Sequence, residues 1–180
     1  MKKLFTILAL VVAVIALAIS CEKDPVGKTA TVDLAGQWQI VYNVVDANGD
    51  FVDVWDDPSM ALTFNTAAND KDSIWFSDLG GLLGIQVKIP CNLADLTFGS
   101  DDQFENINTD GALGDGDIDA GTIIKNGKIL KGAATTPSGM PADSIYFEIF
   151  IENDGYAAYY GYDHYTAGGF RYTGFAADEP

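Results

Sequence analysis

Apolar and polar residues alternate with a period of two along much of this chain, and this pattern restricts the possible folds more than any other feature of the sequence. Between residues 145 and 152, every second residue is large and apolar (Ile145, Phe147, Ile149 and Ile151). A similar alternation runs from residue 38 to residue 44 (Trp38, Ile40, Tyr42 and Val44). Successive side chains of a strand point to opposite faces, so each stretch predicts a strand with one apolar face. No segment shows a sustained helical period, and the sequence therefore predicts an all-β fold.

Asparagine-glycine pairs indicate where some of these strands turn. Asn48-Gly49 separates the strand at 38–44 from a returning strand at 51–55, and Asn126-Gly127 is interpreted as a second hairpin within residues 122–131. The last two strands are predicted at 156–162 and 168–175, although residues 156–165 could instead form a short helical turn. About ten short, closely spaced strands are typical of a β-sandwich or a β-barrel.

The N-terminus has the pattern of an exported protein. Lys2 and Lys3 precede an apolar run from Leu4 to Ile19, and Cys21 follows shortly afterwards. This order predicts a secretory signal peptide over residues 1–20. A membrane-spanning helix needs about 20 apolar residues, so the run is too short for that alternative.

The residues around Cys21 resemble the processing site of bacterial lipoproteins. The stretch AISC, which ends at Cys21, is similar to the lipobox, although Ala18 stands where leucine is usual. The resemblance implies cleavage before Cys21 and its acylation, which would anchor the chain in the outer membrane; a free secreted protein is the alternative. Residues 21–31 are polar and predict a linker, which leaves residues 32–180 as a single β domain.

The charge of the chain restricts its partners. The full sequence has 26 acidic and 10 basic residues, and removal of Lys2 and Lys3 leaves eight basic residues against the same 26, a formal charge of −18. Nucleic-acid-binding faces are basic, so the composition predicts no nucleic-acid partner. Adsorption to anionic head groups is disfavoured for the same reason. The charge suits a neutral or cationic ligand.

His164 is the only histidine and a weak candidate for a catalytic residue. Asp163 precedes it, but a hydrolytic triad also needs a serine beside the imidazole. The chain has no G-x-S-x-G motif, and Ser59, Ser73 or Ser144 can serve only if the fold brings one of them to His164. The sequence therefore favours a protein without enzymatic activity, and a weak esterase-type hydrolase is the alternative.

A stretch of alternating acids is a weak candidate for calcium binding (Asp115, Asp117 and Asp119). An EF-hand loop that began at Asp115 would need glycine at its sixth position and glutamate at its twelfth. Those positions hold Ala120 and Asn126, so a solvated Asp/Gly loop is favoured. A single histidine and one cysteine besides Cys21 disfavour zinc, and the sequence predicts no cofactor.

The apolar faces of the predicted strands are the candidate lining of a pocket. Hydrophobicity assigns nine residues to the inward face (Trp38, Ile40, Tyr42, Leu62, Phe64, Ile145, Phe147, Ile149 and Ile151). Most aromatic residues are expected to form core, but a barrel of this size can also enclose one small apolar ligand.

The two ends of the body carry a resemblance to the calycin superfamily, which includes the lipocalins. Gly36 and Trp38 open the first strand, and Arg171, the only arginine, lies on the last. In calycins such an arginine packs over the tryptophan and closes one end of the barrel. The resemblance implies a closed or nearly closed antiparallel barrel of about 8–10 strands, with Arg171 stacked on Trp38. An arginine can stack and still donate to nearby carbonyl groups.

The chain also resembles the small Bacteroidota lipoproteins described as lipid-binding putative hydrolases. The similar segments are CEKDP after the predicted cleavage site, GQWQIVYNV at 36–44, DSIW at 72–75 and GGFRYTGF at 168–175. This resemblance implies a lipocalin-like barrel, a lipid or other small hydrophobic ligand, and an outer-membrane location, with exposure on the cell surface open. The alternatives are the weak hydrolase and a surface accessory or adhesion module with a packed core.

Overall fold

A computed structural model of the chain describes residues 28–82, 84–107 and 121–179. Within these ranges the strands are β1 (Gly36–Val45), β2 (Phe51–Val54), β3 (Ser59–Asn65), β4 (Ser73–Ser77), β5 (Gln86–Asn92), β6 (Thr97–Phe98), β7 (Thr122–Thr135), β8 (Pro141–Ile151) and β9 (His164–Arg171). A short helix, α1 (Gly155–Tyr160), and a 3₁₀ helix (Ala176–Asp178) are the described helical elements. The predicted all-β class is confirmed. No helix in these ranges is long and apolar enough to span a membrane.

Some of the predictions concern residues outside the described ranges. They are the signal peptide over residues 1–20, the lipid anchor at Cys21, most of the linker, and the calcium candidates (Asp115, Asp117 and Asp119). They remain predictions.

Eight strands close into a barrel. β1 pairs with β9 over eight residue pairs, from Trp38↔Arg171 to Val45↔His164. On its other side, β1 pairs first with β3 and then, near its end, with β2. The strands from β3 to β9 follow one another in order, each antiparallel to the next. The predicted closed antiparallel barrel of about 8–10 strands is therefore confirmed, with β2 as an additional strand.

The interior of the described barrel is filled by its own side chains. The largest of them, Trp38, Phe76, Phe147 and Tyr165, are fully buried. Aliphatic residues from five strands fill the space between the rings, none of them more than 2% exposed (Ile40, Ile74, Val87, Ile89, Ile124, Ile129, Ile145 and Ile149). Side chains covered this completely leave no water-sized space beside them, so the described interior is a packed core.

The inward face of β3 is not the face that was predicted from hydrophobicity. Trp38 points inward and pairs with Ala61, and directly paired residues share a face of the sheet. Ala61 is therefore inside, whereas Leu62 and Phe64 point outward and are half-buried. The prediction that Leu62 and Phe64 face the interior is wrong. The indole of Trp38 leaves room for only a small side chain beside it, and Phe64 instead stacks on Trp75 at the outer surface.

β7 is one continuous strand, so the hairpin predicted at Asn126-Gly127 is wrong. The pairing with β8 skips these two residues, which form a bulge. Asn126 has a positive φ of 54°, which asparagine tolerates better than most residues. An asparagine-glycine pair supplies this backbone conformation in a bulge as well as in a turn, and the local sequence alone does not separate the two.

Residues 156–162 do not form the predicted strand. Asp154 caps the helix α1, because its carboxylate accepts hydrogen bonds from the N–H groups of Tyr156 and Ala157. Gly161 ends the helix in the left-handed conformation, with φ 79°. The strand prediction is wrong here, and the alternative of a short helical turn within residues 156–165 is confirmed.

The barrel has two ends, which we name by what lies there. The arginine end contains Gly36 and Arg171. The helix end contains the C-terminus of β1, the strand β2, the helix α1 and the turn between β4 and β5, of which residues 78–82, 84 and 85 are described (called the Asp78 turn below).

Candidate functional site

The arginine end is closed by the predicted stack. The guanidinium carbon of Arg171 lies 4.4 Å from the centroid of the Trp38 ring. Arg171 Nη1 also donates to the carbonyl of Ala35 at 2.8 Å. Gly36 is explained by the same contact, since a Cβ at this position would collide with the guanidinium. The three residues singled out by the sequence therefore meet at one point.

A buried hydrogen-bond chain fixes the indole beneath this stack. Trp38 Nε1 donates to Thr63 Oγ1 at 2.8 Å, and Thr63 Oγ1 donates to the carbonyl of Leu34 at 2.6 Å. Leu34 and Trp38 are fully buried. The indole N–H and the Thr63 hydroxyl are therefore both hydrogen-bonded, and the buried side chains of Leu34 and Trp38 close this end of the described barrel.

Asp143 completes the ion pairing of the arginine end. Its Oδ2 atom lies 3.2 Å from Arg171 Nε and 3.2 Å from Lys131 Nζ, and its Oδ1 atom accepts a hydrogen bond from the Gly132 N–H. Partial desolvation would raise the pKa of Asp143, but the Gly132 N–H, Lys131 and Arg171 together lower it below its usual value. Asp143 therefore remains a carboxylate and holds β7, β8 and β9 together.

The helix end is covered by an aromatic cluster. The ring of Trp55 meets the ring of Tyr156 at 5.2 Å and the ring of Tyr165 at 5.4 Å between centroids, both edge to face. Tyr156 belongs to α1, and Tyr165 to the inner face of β9. Trp55 therefore joins the segment after β2 to the cover of the barrel.

Two tyrosines and one aspartate connect α1 to the core below it. The hydroxyl of Tyr165 donates to Asp154 Oδ2 at 2.6 Å. A tyrosine hydroxyl has one hydrogen, and that of Tyr165 is used in this bond. In the 2.7 Å contact between the two tyrosine hydroxyls, Tyr162 is therefore the donor and Tyr165 the acceptor. Burial raises the pKa of Tyr162 to about 12, and burial and the Asp154 contact raise the pKa of Tyr165 further. Both tyrosines are neutral hydrogen-bonding groups at physiological pH.

The Asp78 turn covers the other side of the helix end. The carboxylate of Asp78 is fully buried and accepts hydrogen bonds from the backbone N–H groups of Gly80, Leu82, Gly84 and Ile85. This arrangement places the side chains of Leu82 and Ile85, 5% and 2% exposed, in the core. A single aspartate therefore sets the shape of the turn that closes the barrel between β4 and β5.

Exposed apolar side chains collect around the same end. On β2 they are Phe51, Val52 and Val54, and on α1 they are Tyr156, Tyr159 and Tyr160. α1 has no buried residue of its own. Apolar groups clustered on a surface often mark a binding site. The helix end is therefore the candidate functional site.

Of the residues predicted to bind ligand, those of β1 and β8 lie inside the barrel (Trp38, Ile40, Tyr42, Ile145, Phe147, Ile149 and Ile151). All are buried except Ile151, which is half-buried at the helix end. Leu62 and Phe64 lie on the opposite face of β3. That these residues contact a ligand remains a prediction.

The residues that build the cover of the helix end were not predicted from the sequence. Asp78 precedes a run of glycines, and an aspartate before glycines is a usual signal for a side chain that bonds the backbone of a turn. Tyr162 and Tyr165 lie in a tyrosine-rich stretch of the sequence that follows Asp154. Their mutual contacts depend on the helix α1, which the strand prediction removed.

The candidate catalytic residue lies away from the interior. His164 is on the outer face of β9, where its ring stacks on Phe150 with 4.2 Å between centroids. His164 Nδ1 lies 2.9 Å from Asp163 Oδ2. The serines are dispersed: Ser59 is on the inner face of β3, and Ser73 and Ser144 lie toward the arginine end. The fold brings none of the three into a described contact with His164.

Within the described ranges, no group of three or more His, Cys, Asp or Glu side chains is arranged to hold a metal ion. The calcium candidates fall in the stretch between residues 107 and 121, outside those ranges.

Comparison with known proteins adds one finding. The sequence model of a family described as lipid-binding putative hydrolase matches residues 23–176. The match spans every strand of the barrel, from β1 to β9, and well over half of the chain. Among curated proteins no significant relative is found.

Proposed function

This chain belongs to the lipid-binding putative hydrolase family, and on that premise we propose that it is an outer-membrane lipoprotein whose β-barrel binds a lipid or another small hydrophobic ligand. The observation that supports binding at the helix end is the cluster of exposed apolar side chains on β2 and α1, directly above an apolar core.

The two ends of the barrel differ in how firmly they are held. At the arginine end, the closing groups are tied by the Arg171 stack and a buried hydrogen-bond chain. At the helix end, α1 has no fully buried residue and contacts the barrel through Trp55, the half-buried Ala157 and the Asp154–Tyr165 hydrogen bond. Displacing α1 therefore uncovers little apolar surface, and a ligand enters at lower cost here than at the arginine end.

Because the described interior is already packed, binding requires side chains at the helix end to move. Burial of apolar surface favours binding by about 25 cal/mol of free energy for each Å² of apolar surface removed from water. A ligand that buries roughly 300 Å² of apolar surface gains several kcal/mol before the cost of ordering is subtracted. That gain has to exceed the cost of displacing α1 and Trp55.

Binding is tested with the chain from residue 21, carrying Cys21→Ala to leave out the acyl group. The closed barrel begins at Gly36, so this form keeps every paired strand. It is titrated with a panel of neutral and anionic lipids, and tryptophan fluorescence is recorded. A saturable change is expected for at least one neutral lipid.

Two tryptophan variants locate the site. Trp55→Phe removes the reporter at the helix end and should abolish most of the fluorescence change. Trp75→Phe removes the tryptophan that stacks on Phe64 at the outer surface and should leave the change intact. The absence of a saturable change with every lipid would favour the packed-core accessory module instead.

The membrane anchor is a separate part of the proposal, supported by the apolar run from Leu4 to Ile19 and by Cys21. Cells given a radioactive fatty acid should label the wild-type protein, and Cys21→Ala should remove the label. Ser20→Ala is a matched control, because it keeps a small residue before the cut and should still be labelled. Label on the Cys21→Ala protein would exclude acylation at this cysteine.

A further inference from the structure

Two hydroxyl groups inside the helix end have no hydrogen-bond partner in the described part of the chain. They are Tyr42 Oη and Ser59 Oγ, and both atoms are buried. Tyr42 as a whole is only 2% exposed. A buried hydroxyl that makes no hydrogen bond loses its hydration without compensation, so such a group in a folded protein requires an explanation.

The two hydroxyls lie under the same part of the cover. Ser59 pairs with Ile40, and Tyr42 is two residues further along β1, so both side chains point inward near the helix end. Gly81 of the Asp78 turn lies against the Ser59 hydroxyl, since a Cβ on this glycine would overlap Ser59 Oγ. The Asp78 carboxylate is close enough to Tyr42 to act on it electrostatically.

The surroundings determine which chemical group can pair with these hydroxyls. Burial raises the pKa of Tyr42 well above its usual value, and the negative charge of Asp78 raises it further. Tyr42 is therefore a neutral O–H group that can both donate and accept. An anionic group placed here would be repelled by Asp78, whereas an uncharged oxygen would not.

We propose that Tyr42 and Ser59 form the polar end of the ligand site, where they hydrogen-bond an uncharged hydroxyl or carbonyl oxygen in the head of a neutral lipid. This inference rests on the proposed function and adds the chemical class of the ligand. The head enters beneath the Asp78 turn when Leu82 moves, and the apolar part of the ligand lies toward α1. The two unpaired hydroxyls then give selectivity, because a ligand without an oxygen leaves them unpaired.

The test compares three ligands with the same carbon chain and different ends: oleyl alcohol, oleate and octadecene. They are supplied from cyclodextrin to the chain from residue 21 carrying Cys21→Ala, and binding is followed by calorimetry. The wild-type barrel should bind oleyl alcohol at least about tenfold more tightly than octadecene, which corresponds to about 1.4 kcal/mol. Oleate should bind more weakly than the alcohol.

Tyr42→Phe separates a ligand-binding hydroxyl from a structural one. If the hydroxyl is unpaired in the free protein, its removal should leave the melting temperature unchanged or raise it. The same variant should lose the preference for oleyl alcohol over octadecene while it keeps its affinity for octadecene. Ser59→Ala should likewise reduce the preference for oleyl alcohol over octadecene without lowering the melting temperature.

Tyr165→Phe is the matched control, because Tyr165 is also an inward tyrosine but its hydroxyl has two partners, Asp154 and Tyr162. This variant should melt at a lower temperature than the wild type. A Tyr42→Phe protein that also melts lower would mean that its hydroxyl is already paired in the free protein, and the proposal would be wrong.

The outcomes also distinguish this inference from the proposed function. If the wild-type chain binds the alcohol and octadecene with equal affinity, the barrel binds hydrophobic ligands but the polar end does not exist. If Tyr42→Phe lowers the affinities for oleyl alcohol and octadecene equally, the tyrosine contributes only to packing and the inference is again wrong. If none of the three ligands binds, the proposed function and this inference fail together.

Discussion

At the scale of single residues, the position of the only arginine has a physical explanation. Arg171 lies over the Trp38 ring, donates to the Ala35 carbonyl and pairs with Asp143, and it makes all three contacts with one planar group. A lysine ammonium is a single point charge that cannot stack flat on an indole while it makes two hydrogen bonds in different directions. The residue type is therefore set by this geometry.

Replacement of Arg171 by lysine should destabilise the barrel. We expect Arg171→Lys to lower the free energy of unfolding by about 1–3 kcal/mol, through the lost stack and the unpaired Ala35 carbonyl. Urea denaturation measures the change. Lys128→Ala is a suitable control, because Lys128 lies 5.1 Å from the Tyr146 ring at an exposed position and should contribute much less. Equal midpoints for Arg171→Lys and the wild type would exclude a stabilising role at the barrel end.

His164 offers a second prediction at this scale. Its ring stacks on Phe150 outside the barrel, and its described polar contact is to Asp163. We therefore expect His164→Ala to leave lipid affinity unchanged and to leave any slow hydrolysis of a p-nitrophenyl ester unchanged. A loss of turnover in this variant, with affinity intact, would instead support the hydrolase alternative.

At the scale of secondary-structure elements, α1 shows how few contacts hold the cover of the barrel. One carboxylate, that of Asp154, both caps the helix and accepts a hydrogen bond from Tyr165. The helix begins at Gly155 and ends before Gly161, so a glycine lies at each end where the backbone can change conformation. By contrast, β8 and β9 are fixed along their length by the barrel ladder.

Removing the Asp154 carboxylate should loosen α1 without opening the barrel. Asp154→Ala removes an N-cap, which costs about 1 kcal/mol, and leaves Tyr165 without its acceptor. Amide hydrogens of residues 155–161 should exchange faster, and lipid association should become faster. Asp46→Ala is the matched control, because Asp46 also accepts backbone N–H groups, from Asn48 and Asp50, but in the β1–β2 turn. Faster exchange in α1 for both variants would show that the effect is not specific to Asp154.

At the scale of the whole molecule, the barrel combines a packed interior with a strongly acidic surface. The sequence has 26 acidic residues against 10 basic ones, yet several carboxylates are used in the structure rather than merely solvated. Asp78 shapes the turn at the helix end, Asp143 pairs with Arg171 at the other end, and Asp178 is buried near the C-terminus. Stability should therefore depend on the ionisation of particular groups.

Stability is expected to fall at both extremes of pH. Hydrogen bonds from Thr173 and Ser138 lower the pKa of Asp178, and the pKa of Asp143 is lowered as well. Both carboxylates therefore stabilise the fold above about pH 4, the pKa of an aspartate in the unfolded chain. This stabilisation is lost as the pH falls through their pKa values in the folded chain. The raised pKa values of Tyr42, Tyr162 and Tyr165 stabilise the fold below pH 10 and lose that effect at higher pH.

Calorimetric melting between pH 2 and pH 12 tests both the acidic and the alkaline limb of the curve of stability against pH. Asp143→Asn should flatten the acidic limb, and Tyr165→Phe should flatten the alkaline limb. Absorbance of tyrosinate at high pH should show these three tyrosines ionising only when the barrel unfolds. Ionisation of all tyrosines in a single step at pH 10, with the fold intact, would contradict the burial that raises their pKa values.

The sequence by itself determined the all-β class and the pairing of the first strand with the last, because these depend on local alternation and on one unusual residue pair, Trp38 and Arg171. Alternation does not say which face is inward when both faces carry apolar groups. On β3 the choice of Ala61 over Leu62 and Phe64 was decided by the space beside Trp38, which exists only in the closed barrel. The bulge at Asn126-Gly127 likewise required the register of β8.

Only the tertiary structure decided where the candidate site lies. Asp78, Asp154 and Tyr165 are separated along the chain, and they cover one end of the barrel because antiparallel strands bring alternate turns to the same side. That the hydroxyls of Tyr42 and Ser59 have no partner among the described residues is likewise visible only in the folded chain, since a hydrogen bond depends on every neighbour in space. A sequence records which groups are present; long-range packing determines which of them remain without a partner.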